Sequence, residues 1–404
     1  MPYSSGTFSL YTPGNPVVTG TVISSTWANN TLSDIATGLT TCLLKDGTQT
    51  VTADISFGAY AIEANNFYGR NYLLNGGFSV VQRGAGPFTS ATNPANNDDT
   101  YLLDQWILLS DGNDVVDVSR ITTAAQKATA SFGALRSDIE TEDLKFGYLQ
   151  ILSNNKSGTL WNGGSGVVSL SFTTISSVSL TIKAAVLSWT GTADTVTSDI
   201  ISAWGADGVT PTYIANVTSE NVSAAITSTT SLTRHTIENI SLDTAATNNI
   251  MVFIWCDDMT QAVADTWDIS GIKLEPGRVS TPYIERPYEE ELNDAQFYFW
   301  RQTRTASSEV LAVGFNASTT VAAHAVFFPR VMRTTPTLSV SDVGNFVVND
   351  TGATPDTTNI ATSVVSPRSA TIAATVAAGL TDGQGSYLTF DATSGAFMQF
   401  TAEL

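Results

Sequence analysis

The chain has 404 residues, more than one ordinary domain holds, and its 42% of hydrophobic residues suffice for sizeable cores. Only 14% of residues are charged, and 18 basic against 37 acidic residues leave a net charge of −19. That balance excludes nucleic acid and anionic lipid as expected partners, because both demand basic patches that neutralise phosphate.

Taken in chain order, the opening "MPYSSGTFSL" has neither a basic n-region nor an apolar h-region, so no signal peptide is expected. No run approaches the roughly 18 apolar residues of a membrane span, so no membrane insertion is expected. Pro and Gly punctuate "YTPGNPVVTGTVISS", which predicts an extended arm over residues 1–23. In "STWANNTLSDIATGLTTCLLKDG" a Ser/Thr cluster offers an N-cap and Gly47 a stop, which predicts a helix. Ala28, Leu32, Ile35, Leu39 and Cys42 are spaced 4, 3, 4 and 3 along it. This is a heptad seam of about two repeats. It fits a short coiled coil and equally an amphipathic helix packed on a neighbour. "TQTVTADISFG" and "AYAIEANNFYG" then alternate with period two, as small strands of a neck ending near residue 70.

From residue 71 to 288 the text is strand-like: "FSVVQ", "YLLDQWILL", "GVVSLSFTT", "IMVFIWCDD" and "WDISGIKLE" are separated by turns such as "TNPANNDD". Short strands without interleaved helices predict a jelly-roll β-sandwich, with Trp106, Trp255 and Trp267 in its core. "EEELNDAQFYFW" predicts a connecting helix over 289–300, and 301–404 returns to strands as a smaller C-terminal β-sandwich.

Catalytic chemistry finds little support. Cys42 and Cys256 stand far apart, which argues against a disulfide framework or a thiolate metal site, and His235 and His324 are isolated. Carboxylates pair at Asp98–Asp99 and Asp257–Asp258 and cluster at Glu289–Glu290–Glu291. Neighbouring side chains on a strand point apart, so solvated turn acids are expected in place of a glycosidase pair. Asp98, Asp99 and Asp104 could offer oxygens to calcium, although no spaced loop motif accompanies them. There is no nucleophile elbow, and "GGSG" at 163–166 lacks the lysine of a phosphate loop. No enzyme, no cofactor and no metal is expected. Trp161 and Trp204 lie beside Gly-rich turns, where an indole either stacks on sugar C–H faces or folds back onto the sandwich.

Two strings are more specific. "NYLLNGGFSVVQRG" at 71–84, followed by Asp104-Gln105-Trp106, resembles the opening of the jelly-roll domain common in tail fibre proteins of tailed bacteriophages. Asn71, Asn75, Gly76, Phe78, Gln82, Arg83, Gly84 and Trp106 match its pattern, while Gln105 replaces an expected arginine. The close, "KLEPGRVSTPYIERPYEEEL", resembles the same family through Leu274, Glu275, Pro276, Gly277, Thr281, Pro282, Tyr283, Glu285, Arg286, Pro287, Tyr288, Glu290 and Leu292. Ala295-Gln296-Phe297-Tyr298 departs from the Cys-Gln-Arg-Tyr-like element that usually follows. Softer likenesses extend to the N-terminal anchor of podovirus-type fibres and to their distal β-domain. Gly76, Gly77 and Gly84 suit turns at the first strand, and Pro276, Pro282 and Pro287 stiffen the exit. The strings therefore read as scaffold, with their two ends near one another.

The resemblance implies an elongated homotrimer with Ala28, Leu32, Ile35 and Leu39 at the trimer interface. It implies a virion protein of the tail, made in the bacterial host cytoplasm. Residues 1–70 would dock on adaptor or nozzle proteins, and the chain would recognise a host-surface glycan or lipopolysaccharide. A head or collar fibre without a receptor is the alternative, followed by a polysaccharide-degrading tailspike.

Overall fold

The computed structural model describes residues 3, 4, 7, 8, 19, 20, 22–40, 70–160, 166–243, 245–306, 309–393 and 395–404. The expected neck strands, Cys42 and Trp161 lie outside the described residues, and so does the side chain of Leu39. The chain divides into two compact units, Met1–Asn66 and Phe67–Leu404.

In the first unit, β1 (Tyr3–Ser4) and β2 (Thr7–Phe8) pair antiparallel, so the expected arm carries one local hairpin. Helix α1 (Ser25–Thr40) starts where predicted, with the Trp27 N–H donating to the Ser24 side chain at 3.1 Å as an N-cap. Along its stripe Ala28 and Ile35 are half-buried, while Leu32 is 63% exposed.

In the second unit the central domain is an antiparallel sandwich. Its strands are β3 (Thr100–Tyr101), β4 (Ile107–Ser110), β5 (Val116–Ile121), β6 (Ala134–Ile139), β7 (Phe146–Ile151), β8 (Val167–Ser176) and β9 (Leu180–Trp189). They continue as β10 (Ile201–Ala203), β11 (Thr212–Tyr213), β12 (Val217–Val222), β13 (Ile226–Ser228), β14 (Thr233–Ser241), β15 (Asn249–Cys256) and β16 (Thr266–Pro276). One sheet runs β12-β9-β15-β7-β4-β3 with β13 beside β9, and the other runs β14-β8-β16-β6-β5. A short helix, α2 (Asn154–Gly158), follows β7. Between the sheets lies a core that includes Trp106, Phe146, Phe172 and Trp267.

Strand β15 is buried at all eight positions, which a one-sided sandwich does not require. Ile250, Val252, Ile254 and Cys256 enter the inter-sheet core, and Met251, Phe253 and Trp255 face a second apolar layer. Val196, Ile200 and Trp204, on the segment carrying β10 and β11, cover that outer face. Buried charge fixes the cover: Lys145 Nζ donates to the carbonyls of Ala206 (2.6 Å) and Val209 (2.8 Å) and pairs with Asp257 at 2.7 Å. Asp257, expected as a solvated turn acid, is instead fully buried between Lys145 and Lys183. A carboxylate can be buried here because two ammonium groups and the Trp255 indole N–H replace its water.

Helix α3 (Tyr288–Ala295) is shorter than predicted, since Phe299 and Trp300 already belong to a strand. Aromatic side chains favour a pleated surface, and Trp300 stacks on Phe400 across the ladder at 5.8 Å. The C-terminal domain, distal in chain order, has β17 (Phe299–Thr303), β18 (Val310–Asn316), β19 (Val321–Phe327), β20 (Thr337–Val340) and β21 (Phe346–Asn349). It ends with β22 (Thr357–Val365), β23 (Ser369–Val376), β24 (Gly385–Phe390) and β25 (Phe397–Thr401). A three-stranded sheet, β17-β25-β20, and a six-stranded sheet, β21-β24-β18-β19-β23-β22, enclose its own core. The chain is mainly β, as the periodicities predict.

Candidate functional site

The specific strings of the sequence converge on the join between the two β-domains. Asn71 donates through Nδ2 to the Ile272 carbonyl (2.8 Å), and its Oδ1 accepts from Leu274 N–H (3.0 Å), so the first motif is stitched to the last strand of the sandwich. Asn75 sits at φ 54°, a left-handed geometry that asparagine tolerates. Its side chain bridges Val80 and the Asp104 carbonyl, its carbonyl accepts from the Trp106 indole at 3.1 Å, and its N–H donates to Glu291. A Cβ on Gly76 would stand 2.1 Å from the Ile272 carbonyl oxygen, so only glycine lets the two segments approach.

Gln82 and Arg83 then cross to the distal domain. Gln82 donates to both Asp104 oxygens (2.7 and 2.6 Å) and to the Phe299 carbonyl at 2.9 Å. Arg83 pairs with Glu403 and lies 3.5 Å over the Phe299 ring. Burial raises the pKa of Asp104 and of Glu403, and Arg83 opposes the shift in each. Arg301, half-buried beside Arg83, is lowered to about 10 by desolvation and by that neighbouring cation. At the closing string, Leu274 is core, and Glu275 accepts from Thr281 N–H (2.6 Å) and pairs with Lys273 at 3.0 Å. Gly277 takes φ 122°, and Pro287 stands as N-cap of α3. Arg286 pairs with Glu291 (3.0 Å) and Asp294 (2.7 Å). Glu291 was expected as a solvated turn acid and is a buried bonding partner, Asp104 of the first string is buried as well, and Glu403 carried no signal at all in the sequence.

The surfaces that could meet a ligand lie elsewhere. Trp204, offered as a sugar-stacking face, is 7% exposed with its ring 5.9 Å from Phe253, because it belongs to the apolar cover over β15. That expectation is corrected: the indole has no open face. In the distal domain, Asp350 brings two polar loops together by accepting from Asn316 Nδ2 (2.9 Å) and Thr381 N–H (2.8 Å). Those loops, 350–356 and 377–384, form one neighbourhood.

A third surface is a cleft of about 320 Å³ between α2 and α3. Tyr72, Lys156, Phe297, Tyr298, Arg330 and Asp294 line it, with Arg70 at its margin 6.0 Å from the Tyr72 ring. Tyr298 reaches back to the sandwich by donating to Ser153 Oγ at 3.0 Å.

His235 is hydrogen-bonded to Thr174 at 3.0 Å, and His324 is wholly buried against Ser386 at 3.1 Å. Burial lowers His324 to about 4 and pushes the Cys256 thiol up to about 12. Among the described residues no group of three His, Cys, Asp or Glu side chains could hold a metal. Asp98 accepts from Ser110 N–H and Asp104 from Gln82, so the carboxylates considered for calcium serve separate local bonds.

No family model matches the chain, and no curated protein does. Among solved structures it is similar to TmCBM61 in complex with β-1,4-galactotriose (15% identity, 52% of this chain and 100% of that one, TM-score 0.30). It is also similar to the tandem CBM22-1–CBM22-2 domain of Paenibacillus barcinonensis Xyn10C (14% identity, 86% and 100%, TM-score 0.29). A third likeness is to the enzymatically active domain of Bacteriophage CBA120 tailspike protein 4 (10% identity, 52% and 21%, TM-score 0.27). Likenesses this weak say nothing of what the chain binds.

Proposed function

We propose that the chain is a tail fibre of a tailed bacteriophage: a homotrimeric virion protein, tail-bound through residues 1–70, that recognises a glycan on the host surface. The observation that carries this reading is the convergence of both fibre-like strings on one rigid join, where Asn75, Gln82, Arg83, Arg286 and Pro287 all hold structural positions. Trimerisation is supported by two uncharged apolar surfaces. One is the α1 stripe through Leu32 and Ile35. The other is the outer face of the six-stranded distal sheet, where Tyr387, Val313, Ala325 and Thr371 stand in one cross-strand row. Phe315, Ala323 and Ala373 form the next row. A chain of net charge −19 repels its copies, so copies must meet on faces without charge.

Recognition is assigned to the distal loops around Asp350, which are polar, exposed and free to vary without disturbing a core. Three copies of a weak site gain avidity, so single-site affinity can be low. The chain binds and does not cleave: incubation with host polysaccharide should release no reducing ends. The direct test replaces residues 351–355 and 382–384 by Gly/Ser sequence in fibres assembled on otherwise complete particles. Adsorption should fall at least tenfold; adsorption at the wild-type rate overturns the assignment to these loops. Labelled chain found on the capsid, not on the tail, overturns the tail-fibre reading.

A further inference from the structure

We propose that the cleft between α2 and α3 is a subsite for a sugar carrying a carboxylate, a uronic-acid-type unit of a surface polysaccharide. The proposal rests on glycan recognition as the chain's function and adds a chemical class and a place. In a chain with 18 basic against 37 acidic residues, three cations gather here, Arg70, Lys156 and Arg330, around Asp294, the single carboxylate among the described lining residues. That carboxylate is already engaged: Asp294 accepts from Arg286 and from Arg330, each at 2.7 Å. Lys156 Nζ has no hydrogen bond or ion pair among the described residues, though it is half-buried. Among the described residues, Arg70 approaches the Tyr72 ring and no carboxylate. Among the described residues the cleft therefore holds more cationic than anionic charge, an imbalance that an anion relieves.

The walls favour a sugar over a bare anion. Half-buried Tyr72 and Phe297 line the space with aromatic surface suited to sugar C–H faces, and the exposed Asn155 and Thr159 offer groups for hydroxyls. A volume of about 320 Å³ suits a small oligosaccharide segment. Burial, with Arg286 and Arg70 adding to it, pulls Lys156 down to about 7 against the opposing pull of Asp294 and Glu291. A carboxylate beside it raises that value again, so binding favours the acid side of neutrality.

The test titrates the full chain with trigalacturonate and with its methyl ester by calorimetry at pH 6 and low salt. The acid should bind and the ester should not. Lys156→Gln combined with Arg70→Gln should weaken binding at least about tenfold, the loss of one or more charge-assisted bonds, with an unchanged thermal midpoint. Wild-type affinity should fall severalfold between pH 6 and pH 8.5, and this dependence should flatten in the double variant. Equal binding of the ester, no binding of either form, or undiminished binding by the double variant overturns the proposal. Inorganic phosphate binding as tightly as the trisaccharide overturns it too, since the site would then be for a small anion. A double variant that binds host polysaccharide as the wild type does removes the cleft but keeps glycan recognition; a wild type that binds no host polysaccharide removes both.

Discussion

Arg83 joins charge, ring and backbone at one point: it pairs with Glu403, covers Phe299, and offers its carbonyl to Arg301 at 3.3 Å. Removing it leaves Glu403 buried without its guanidinium and takes a cation from beside Asp104. Arg83→Leu should destabilise the second unit by about 3 kcal/mol, read as the shift of a urea midpoint. A variant as stable as the wild type would mean that the pair contributes nothing net. His324 makes a contrasting test. Its folded value is lowered to about 4 from an ordinary 6.5, so the unfolded state binds the proton more readily. The stability it contributes is fully present above about pH 6.5 and is lost as pH falls through about 4, amounting to at most about 3 kcal/mol. Asp104 and Glu403 act with the opposite sign, because their raised values favour the folded state in acid. The measurement is therefore the difference between wild type and His324→Gln in thermal midpoint across pH 7 to 4. That difference should shrink as pH falls; a constant difference counts against it. At this scale the sequence was legible only in part. Asn75, Gly76 and Pro287 could be named from their pattern, whereas Asp257 and Glu403 could not, since an acid in a single sequence carries no sign of which cation it will meet.

Among elements, legibility followed periodicity. Strand β23 alternates between half-buried and buried along its whole length, and such alternation is visible in residue order. The end of α3 was misplaced because "FYFW" suits a helix face and a strand alike, and only pairing with β25 decides between them. The role of Trp204 was hidden for a related reason. A loop indole covers a sheet or meets solvent depending on the strand beneath it, and β15 presents Phe253 and Trp255 outward. The exposed rows of the distal sheet give an element-scale prediction. Val313 is 64% exposed and Phe315 54%, so Val313→Asp with Phe315→Asp should cost the single chain little. In a trimer the same changes bury charge, and light scattering at micromolar concentration should show dissociation. A wild type that is a monodisperse monomer sinks the trimer outright. A double variant that stays trimeric moves the contact to α1, where Leu32→Asp with Ile35→Asp becomes the deciding change.

For the whole molecule, the two β-domains of the second unit are not beads on a string. Gln82 to Phe299, Tyr298 to Ser153 and Tyr101 to the Leu404 carbonyl (2.7 Å) tie one to the other through buried groups. Residues 70–404 should therefore melt in one calorimetric transition, and a chain cut at Pro287 should be less stable, with Arg83 stripped of Glu403 and Phe299 and Gln82 of the Phe299 carbonyl. Two well-separated transitions would contradict this. Substitution within loops is for the same reason a cleaner probe of recognition than truncation. The stitch between Asn71 and the Ile272–Leu274 stretch carries one more consequence, a mechanical one. A pull applied at residue 70 against the distal domain meets that stitch first and has a short route through β16 and the closing string to α3, so that most of the two hundred residues between lie beside this line of tension. Under load the sandwich is a passenger: its loops can lengthen or shorten without changing the reach of the molecule, and it can stay folded while the tether around it is drawn tight.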